Sequence, residues 1–237
     1  MEKKNYYDEP LSKESGFLTK SLPRRSFLQF TGAGVAAATL VMAGCKAEAP
    51  FTIQDHEGVD LGGGDFGILN YAYALEQLEA AFYIQALATP YSGISAKEKS
   101  YLHDICVHEV AHREFFKNAL GSNAIASLEF DFSSVDFSSR DSVLGTSKAL
   151  EDTGVSAYNG AGQLLQSPDF LLLAGKIVSV EARHAALIRD LIMCGTFANS
   201  EVVDENGLDV VRTPAEVLVI AGPFIKTKIN ASNLPTT

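Results

Sequence analysis

The sequence predicts an all-α protein: a four-helix bundle with a long crossover between helices two and three, plus a short C-terminal helix. Four apolar-rich segments of about 24 residues, each about 36 Å long as a helix, lie between turn-forming residues. The first and last links are short and the middle link is long, which indicates two helical hairpins joined by a crossover. The two halves also repeat one set of residues at one helical spacing.

The first hairpin is predicted to begin at Asp65, which caps its first helix, and to end at Gly121. A turn over residues 89–93 separates its two helices. Ser95 and Glu98 form a capping-box pattern that opens the second helix. The shortness of this turn predicts that the two helices are antiparallel neighbours.

The second hairpin follows an irregular stretch, residues 122–139, which contains Phe130, Phe132, Val135 and Phe137 among Ser and Asp residues. We interpret this stretch as the crossover, lying against the bundle. The third helix is predicted over about 141–166. The fourth is predicted over about 168–195, with a proline at its first position, where the missing N–H does no harm. A short fifth helix is predicted over about 214–222.

The first and third helices share a pattern of glutamate and tyrosine. Each contains Ala-Leu-Glu, ending at Glu76 in the first helix and at Glu151 in the third. A tyrosine follows seven residues later in both, Tyr83 and Tyr158. Seven residues are about two helical turns, so each glutamate and its tyrosine lie on one face.

The second and fourth helices both contain Glu-x-x-His, as Glu109 with His112 and as Glu181 with His184. Residues three apart share a helix face, so each pair points at one spot. A dinuclear carboxylate site needs such a pair from two helices and one glutamate from each of the other two. Oxygen and imidazole donors without thiolate suit iron or manganese, and also zinc. The predicted ligands of two metal ions are Glu76, Glu109, His112, Glu151, Glu181 and His184.

Each of these residues alone has an ordinary interpretation, since helical glutamates are usually solvated and a histidine can be a satisfied core residue. The repeated set favours metal ligation. Glu79 lies one turn after Glu76 and competes for the ligand position in helix one. The repeat aligns Glu76 with Glu151, which favours Glu76.

Other side chains near the predicted site have open roles. Tyr83 and Tyr158 are candidate catalytic residues, as hydrogen-bond donors or radical sinks, with core packing as the alternative. His108 lies one position off the ligand face, which favours a structural role. Cys106 and Cys194 lie in helical patterns and are predicted to be small core residues, with a disulfide between them left open.

The first 44 residues are predicted to be an export signal. Arg24 and Arg25 precede Ser-Phe-Leu and a weakly apolar run, an order typical of twin-arginine signals. The run ends in Met-Ala-Gly before Cys45, which resembles the lipobox of bacterial lipoproteins and implies lipidation of Cys45. The alternative is a plain signal peptide or an uncleaved anchor. The prediction places the protein in the bacterial cell envelope, lipid-anchored in the periplasm or at the cell surface.

These segments predict four parts of the chain: a signal over 1–44, a flexible linker over 45–64, the bundle over 65–197 and a C-terminal extension over 198–237. The formal net charge is −10 at pH 7. Such a surface disfavours nucleic acid and suits cations or neutral small molecules. The predicted partners are therefore metal ions and small oxidants, with a homodimer as an open alternative.

From Asp65 to Thr196 the sequence resembles the ferritin-like superfamily, which includes bacterioferritins and rubrerythrins. Within it, the sequence is similar to exported ferritin-like domain proteins sometimes called desiccation-related, for which the string from Leu75 to Tyr83, Leu-Glu-Gln-Leu-Glu-Ala-Ala-Phe-Tyr, is typical. The resemblance implies a bridged pair of irons that reacts with oxygen or peroxide, as a ferroxidase or peroxide scavenger. A manganese pair with catalase-like activity is a variant. The alternative is a non-enzymatic envelope scaffold for stress tolerance, with a structural or lost metal site.

Overall fold

The computed structural model of the protein describes residues 57–236. The predicted export signal, with Arg24 and Arg25, and the predicted lipidation site Cys45 lie outside these residues. Within residues 57–236, none of the helices combines the length and the apolar character that crossing a membrane requires.

Four long helices and one short helix form the described part of the chain. They are α1 (Gly64–Ala88), α2 (Ala96–Leu120), α3 (Arg140–Gly162), α4 (Pro168–Ile192) and α5 (Pro214–Ala221). Two-residue strands, β1 (Val59–Asp60) and β2 (Ile229–Asn230), pair in parallel. The predicted fold class, an all-α four-helix bundle with a crossover and a short C-terminal helix, is confirmed.

The helices pack as two hairpins, α1 against α2 and α3 against α4, and contacts between α1 and α3 join them. Apolar side chains at helical spacing form the core: Leu75, Leu78, Phe82, Leu102, Ile105, Leu144, Leu150 and Ile188. Each fully buried side chain of this kind stabilises the fold by about 1.5–3 kcal/mol. The crossover lies on this core, because Phe132 and Phe137 both contact the Phe82 ring.

The helix ends follow the predicted capping residues except at the start of α1 and at the ends of α3 and α4. Asp65 does not cap α1, whose N-cap is Gly63 without a side-chain hydrogen bond; the Asp65 carboxylate instead accepts hydrogen bonds from the amides of Gln166 and Ser167. The capping box of Ser95 and Glu98 opens α2 as expected. α3 ends at Gly162, four residues early, because the amides of Leu164 and Leu165 bond to carbonyls only three residues back. α4 ends at Ile192, three residues early, because the next residue is extended, with φ −146°.

The segment before α1 is attached to the bundle. β1 pairs with β2, and Leu61 is completely buried. The flexible linker predicted over 45–64 therefore includes residues that the structure places in the folded domain.

The two cysteines differ in environment. Both are free; Cys106 is buried in α2, as predicted, whereas Cys194 is exposed. The prediction of a core position for Cys194 is wrong, because α4 ends two residues before it.

Gly160 permits a close contact between α3 and the C-terminal extension. A Cβ at this position would lie 1.8 Å from the carbonyl oxygen of Arg212. We expect Gly160→Ala to lower the free energy of unfolding by about 3 kcal/mol, since backbone must move to remove the clash. Gly145, exposed in the same helix with nothing near its Cβ position, is the matched control. Gly145→Ala is expected to raise stability by up to about 1 kcal/mol.

Urea unfolding of both variants measures this difference. Equal effects of the two substitutions would contradict the close approach at Gly160.

Candidate metal centre

Six ionisable side chains from the four long helices meet near the middle of the bundle. They are the predicted ligands Glu76 of α1, Glu109 and His112 of α2, Glu151 of α3, and Glu181 and His184 of α4. The four glutamates are completely buried. The side chains of the two histidines are 13% and 5% exposed. The repeat therefore brings together residues that lie far apart in the sequence.

The potential ligand atoms form two overlapping groups. Within each group, these atoms lie within 4.8 Å of one another. The first group consists of Glu76, Glu109, His112 and Glu181. The second group consists of Glu109, Glu151, Glu181 and His184. Glu109 and Glu181 belong to both groups, so the arrangement offers two adjacent cation positions that share two carboxylates.

Each shared carboxylate presents one oxygen to each histidine. Glu109 Oε1 lies 2.8 Å from His184 Nδ1, and its Oε2 lies 3.7 Å from His112 Nδ1. Glu181 Oε1 lies 2.8 Å from His112 Nδ1, and its Oε2 lies 3.8 Å from His184 Nδ1. The two halves are thus related by an approximate twofold axis between the shared carboxylates.

The inward-facing atoms lack hydrogen-bond partners among the described residues. These atoms are both oxygens of Glu109 and Glu181, Oε2 of Glu76 and Glu151, and Nδ1 of His112 and His184. At 2.8 Å, the Nδ1 atom of each imidazole forms an ion pair with one shared carboxylate when the imidazole is protonated. Buried polar atoms normally have partners. Oxygen and nitrogen donors that converge without partners fit two cations of the iron, manganese or zinc kind.

The site holds protons when it contains no metal. Burial disfavours the charged form of His112 and His184, but the surrounding carboxylates outweigh it and raise the pKa of each imidazole to about 12. Burial also raises the pKa of Glu109 well above its ordinary value and that of Glu151 to about 7. The two imidazoles outweigh the burial of Glu181 and lower its pKa. A bound cation must therefore displace the Nδ1 protons.

Tyr83 and Tyr158 each donate a hydrogen bond to a glutamate of the opposite hairpin. The Tyr83 hydroxyl donates to Glu151 Oε1 at 2.5 Å, and the Tyr158 hydroxyl donates to Glu76 Oε1. The other oxygen of each glutamate faces a histidine. Glu151 Oε2 lies 3.4 Å from His184 Nδ1, and Glu76 Oε2 lies 3.4 Å from His112 Nδ1. Burial raises the pKa of both phenols, so both stay protonated and can donate.

Glu79 is buried beside the site but belongs to neither group of ligand atoms. The geometry thus favours Glu76 for the ligand position in α1. Glu79 lies against Gly154, whose added Cβ would come within 3.0 Å of Glu79 Oε1. Gly154 follows Glu151 by three residues, as Glu79 follows Glu76. This glycine, which the sequence shows only as unfavourable in a helix, leaves the space that Glu79 occupies.

His108 contacts the site in a way that the sequence did not indicate. Its Nδ1 lies 2.8 Å from Nε2 of His184. The face argument predicted a structural role because it considered only residues that point at the metal positions. His108 instead meets the outer edge of the His184 ring, from a different helix.

A family model described as a ferritin-like domain matches residues 64–194, more than half of the chain. The matched region runs from the start of α1 to just beyond α4 and contains all six ionisable side chains. The search among curated proteins found no match to the chain.

Proposed function

The chain belongs to the ferritin-like domain family, and on this premise we propose that it binds two metal ions, iron foremost, that react with oxygen or peroxide. The observation that supports this proposal is the convergence of buried oxygen and nitrogen atoms without hydrogen-bond partners. Leaving such atoms buried without hydrogen bonds costs free energy. The family membership and the donor set agree, because a four-helix bundle of this kind builds carboxylate sites from these residue types.

In this proposal the residues divide into two halves with a shared centre. Glu76 and His112 would hold one ion, Glu151 and His184 would hold the other, and the shared pair, Glu109 and Glu181, would be available to both. Bound iron supplies one-electron redox chemistry, giving ferroxidase or peroxide-scavenging activity.

Tyr83 and Tyr158 act as positioning residues for the metal-binding carboxylates. Each hydroxyl donates a hydrogen bond to one carboxylate oxygen and leaves the other oxygen directed at the metal-binding site. The apolar residues that precede Glu76 and Glu151 in the sequence, Leu75 and Leu150, are buried in the core. We also propose that the protein acts at the bacterial envelope, which rests on the sequence before residue 46 alone.

The alternative, a non-enzymatic scaffold whose metal site is lost, has to account for six ionisable side chains gathered inside the bundle, five of them buried. A lost site would be expected to lose some of them, because polar and ionisable groups that are buried without a ligand cost stability. The burial of all four glutamates therefore favours metal binding.

The test is a titration of the full chain with Fe²⁺ without oxygen, followed by addition of oxygen or hydrogen peroxide. We expect two Fe²⁺ per chain by elemental mass spectrometry and a ferric absorption band after the oxidant. Glu109→Ala with His184→Ala is the variant expected to bind none. Folded wild-type protein that retains no iron would support the scaffold. Manganese binding without iron would shift the proposal to a manganese pair.

A further inference from the structure

His108 is an exposed residue that contacts a buried one. Its ring lies edge to edge with that of His184, with centroids 5.1 Å apart and planes 11° from parallel. Its Nδ1 lies 2.8 Å from His184 Nε2. His184 is 4% exposed, whereas His108 lies at the surface of α2. The contact thus connects the interior site to the outside of the bundle.

The direction of this hydrogen bond follows from the other side of the His184 ring. Its Nδ1 faces Glu109 Oε1 at 2.8 Å and Glu151 Oε2 at 3.4 Å. When Nδ1 gives its lone pair to a cation, the proton of the neutral imidazole lies on Nε2. Nε2–H then donates, and His108 Nδ1 accepts. His108 must carry its own proton on Nε2, which faces away from His184.

The two halves of the repeat differ at this point. His108 precedes His112 by four residues, and the residue that precedes His184 by four is Val180. A valine side chain contains no hydrogen-bonding atom, so it cannot give His112 the support that His108 gives His184. The approximate twofold symmetry of the six predicted ligands therefore does not extend to the residues behind the histidines.

We propose that His108 is a positioning residue that makes the two metal positions unequal. By accepting the Nε2 proton of His184, it fixes the tautomer and orientation of that ring. The ion held by His184 and Glu151 consequently binds more tightly than the ion held by His112 and Glu76. Partners of this kind typically change metal affinity 10–100-fold, roughly. This inference rests on the proposed metal binding.

A purely structural role for His108 predicts something different. Its ring is exposed, so its removal takes little apolar area from the core and alters overall stability slightly. Such a change would leave the two metal affinities as they are. The proposal instead requires a change at one position only, together with rescue by a residue that restores the acceptor.

Three variants of the full chain separate these roles. His108→Leu removes the acceptor. His108→Asn restores it, because the amide oxygen occupies roughly the place of Nδ1. His103→Leu is the control, since His103 is an exposed histidine of the same helix whose ionic contact is with Asp104. Each protein is titrated with Co²⁺ by calorimetry, and the visible absorption of bound Co²⁺ reports the ligand environment.

We expect wild type and His103→Leu to bind two Co²⁺ with distinct affinities. In His108→Leu the tighter affinity should weaken by roughly 10–100-fold and the weaker one should stay, while His108→Asn should restore most of the difference. If His108→Leu binds two Co²⁺ with the same affinities as His103→Leu, this inference alone is overturned. The same holds if His108→Asn does not restore the difference between the two affinities. Wild-type protein that binds no Co²⁺ would overturn the proposed function and this inference together.

Discussion

Glu181→Gln is expected to prevent binding of both metal ions, while Glu79→Gln leaves both in place. Glu181 belongs to both groups of ligand atoms, and the two imidazoles lower its pKa, so it is ionised at neutral pH. A glutamine amide is uncharged and exposes N–H groups in place of one oxygen. We expect metal affinity to fall by more than about 100-fold. This loss exceeds the roughly 10–100-fold loss that follows when a residue in contact with a metal ligand, and not the ligand itself, is replaced.

The control is informative because Glu79 is buried equally deeply. Burial, followed by repulsion from Glu181, raises the pKa of Glu79 well above its ordinary value. Glu79 is therefore a neutral acid, which glutamine matches in shape and charge.

Equilibrium dialysis with Fe²⁺ or Co²⁺ measures the number of ions per chain, and circular dichroism confirms that each variant folds. Glu76→Gln and Glu151→Gln, each altering a residue of one group only, are expected to lose one ion. Loss of both ions in Glu79→Gln would show that Glu79 is a ligand and would contradict the assignment of Glu76.

Removal of the metal is expected to make stability fall steeply with rising pH. The pKa of His112 and His184 is about 12 in the folded protein, against an ordinary value of 6.5. Their stabilising contribution is complete below pH 6.5 and decreases from there up to about pH 12, because the folded state holds the extra protons. Each extra proton costs about 1.4 kcal/mol per pH unit. Glu151 acts in the same direction between pH 4.5 and about 7.

Between pH 6.5 and 8.5, we expect the two imidazoles to make the metal-free protein lose about 5 kcal/mol, a fall in Tm of roughly 15 °C. The stability of the metal-loaded protein should not fall in this pH range, since its ligands have already released their protons. Thermal unfolding at several pH values, with and without Co²⁺, tests this. His184→Gln removes one titrating imidazole and should flatten the metal-free curve. Parallel curves for the two forms would contradict the protonation described here.

The sequence predicts those features of the site that depend on geometry within one helix. Spacings of three and seven residues place Glu109 with His112, and Glu76 with Tyr83, on common faces whatever the neighbouring helix does. The capping box at Ser95 is local in the same sense. The fold class follows from the lengths of the links.

Features that depend on the distance between helices could not be predicted in this way. The contact of His108 with His184 joins residues 76 positions apart and needs the actual separation of α2 and α4. Gly154 is unfavourable for a helix in isolation, and only the position of Glu79 explains it. The exposure of Cys194 depends on where α4 ends.

The hydrogen bonds from Tyr83 to Glu151 and from Tyr158 to Glu76 have a consequence for the order of folding. Each of them joins the two hairpins, and each group of ligand atoms also takes residues from both hairpins, so neither hairpin alone contains a complete set of contacts for either cation. Contacts within a hairpin are close in sequence and form early, whereas docking of the hairpins comes later. Docking is therefore the step at which the carboxylates leave water, and we expect dissolved metal to accelerate that step and not the formation of the helices.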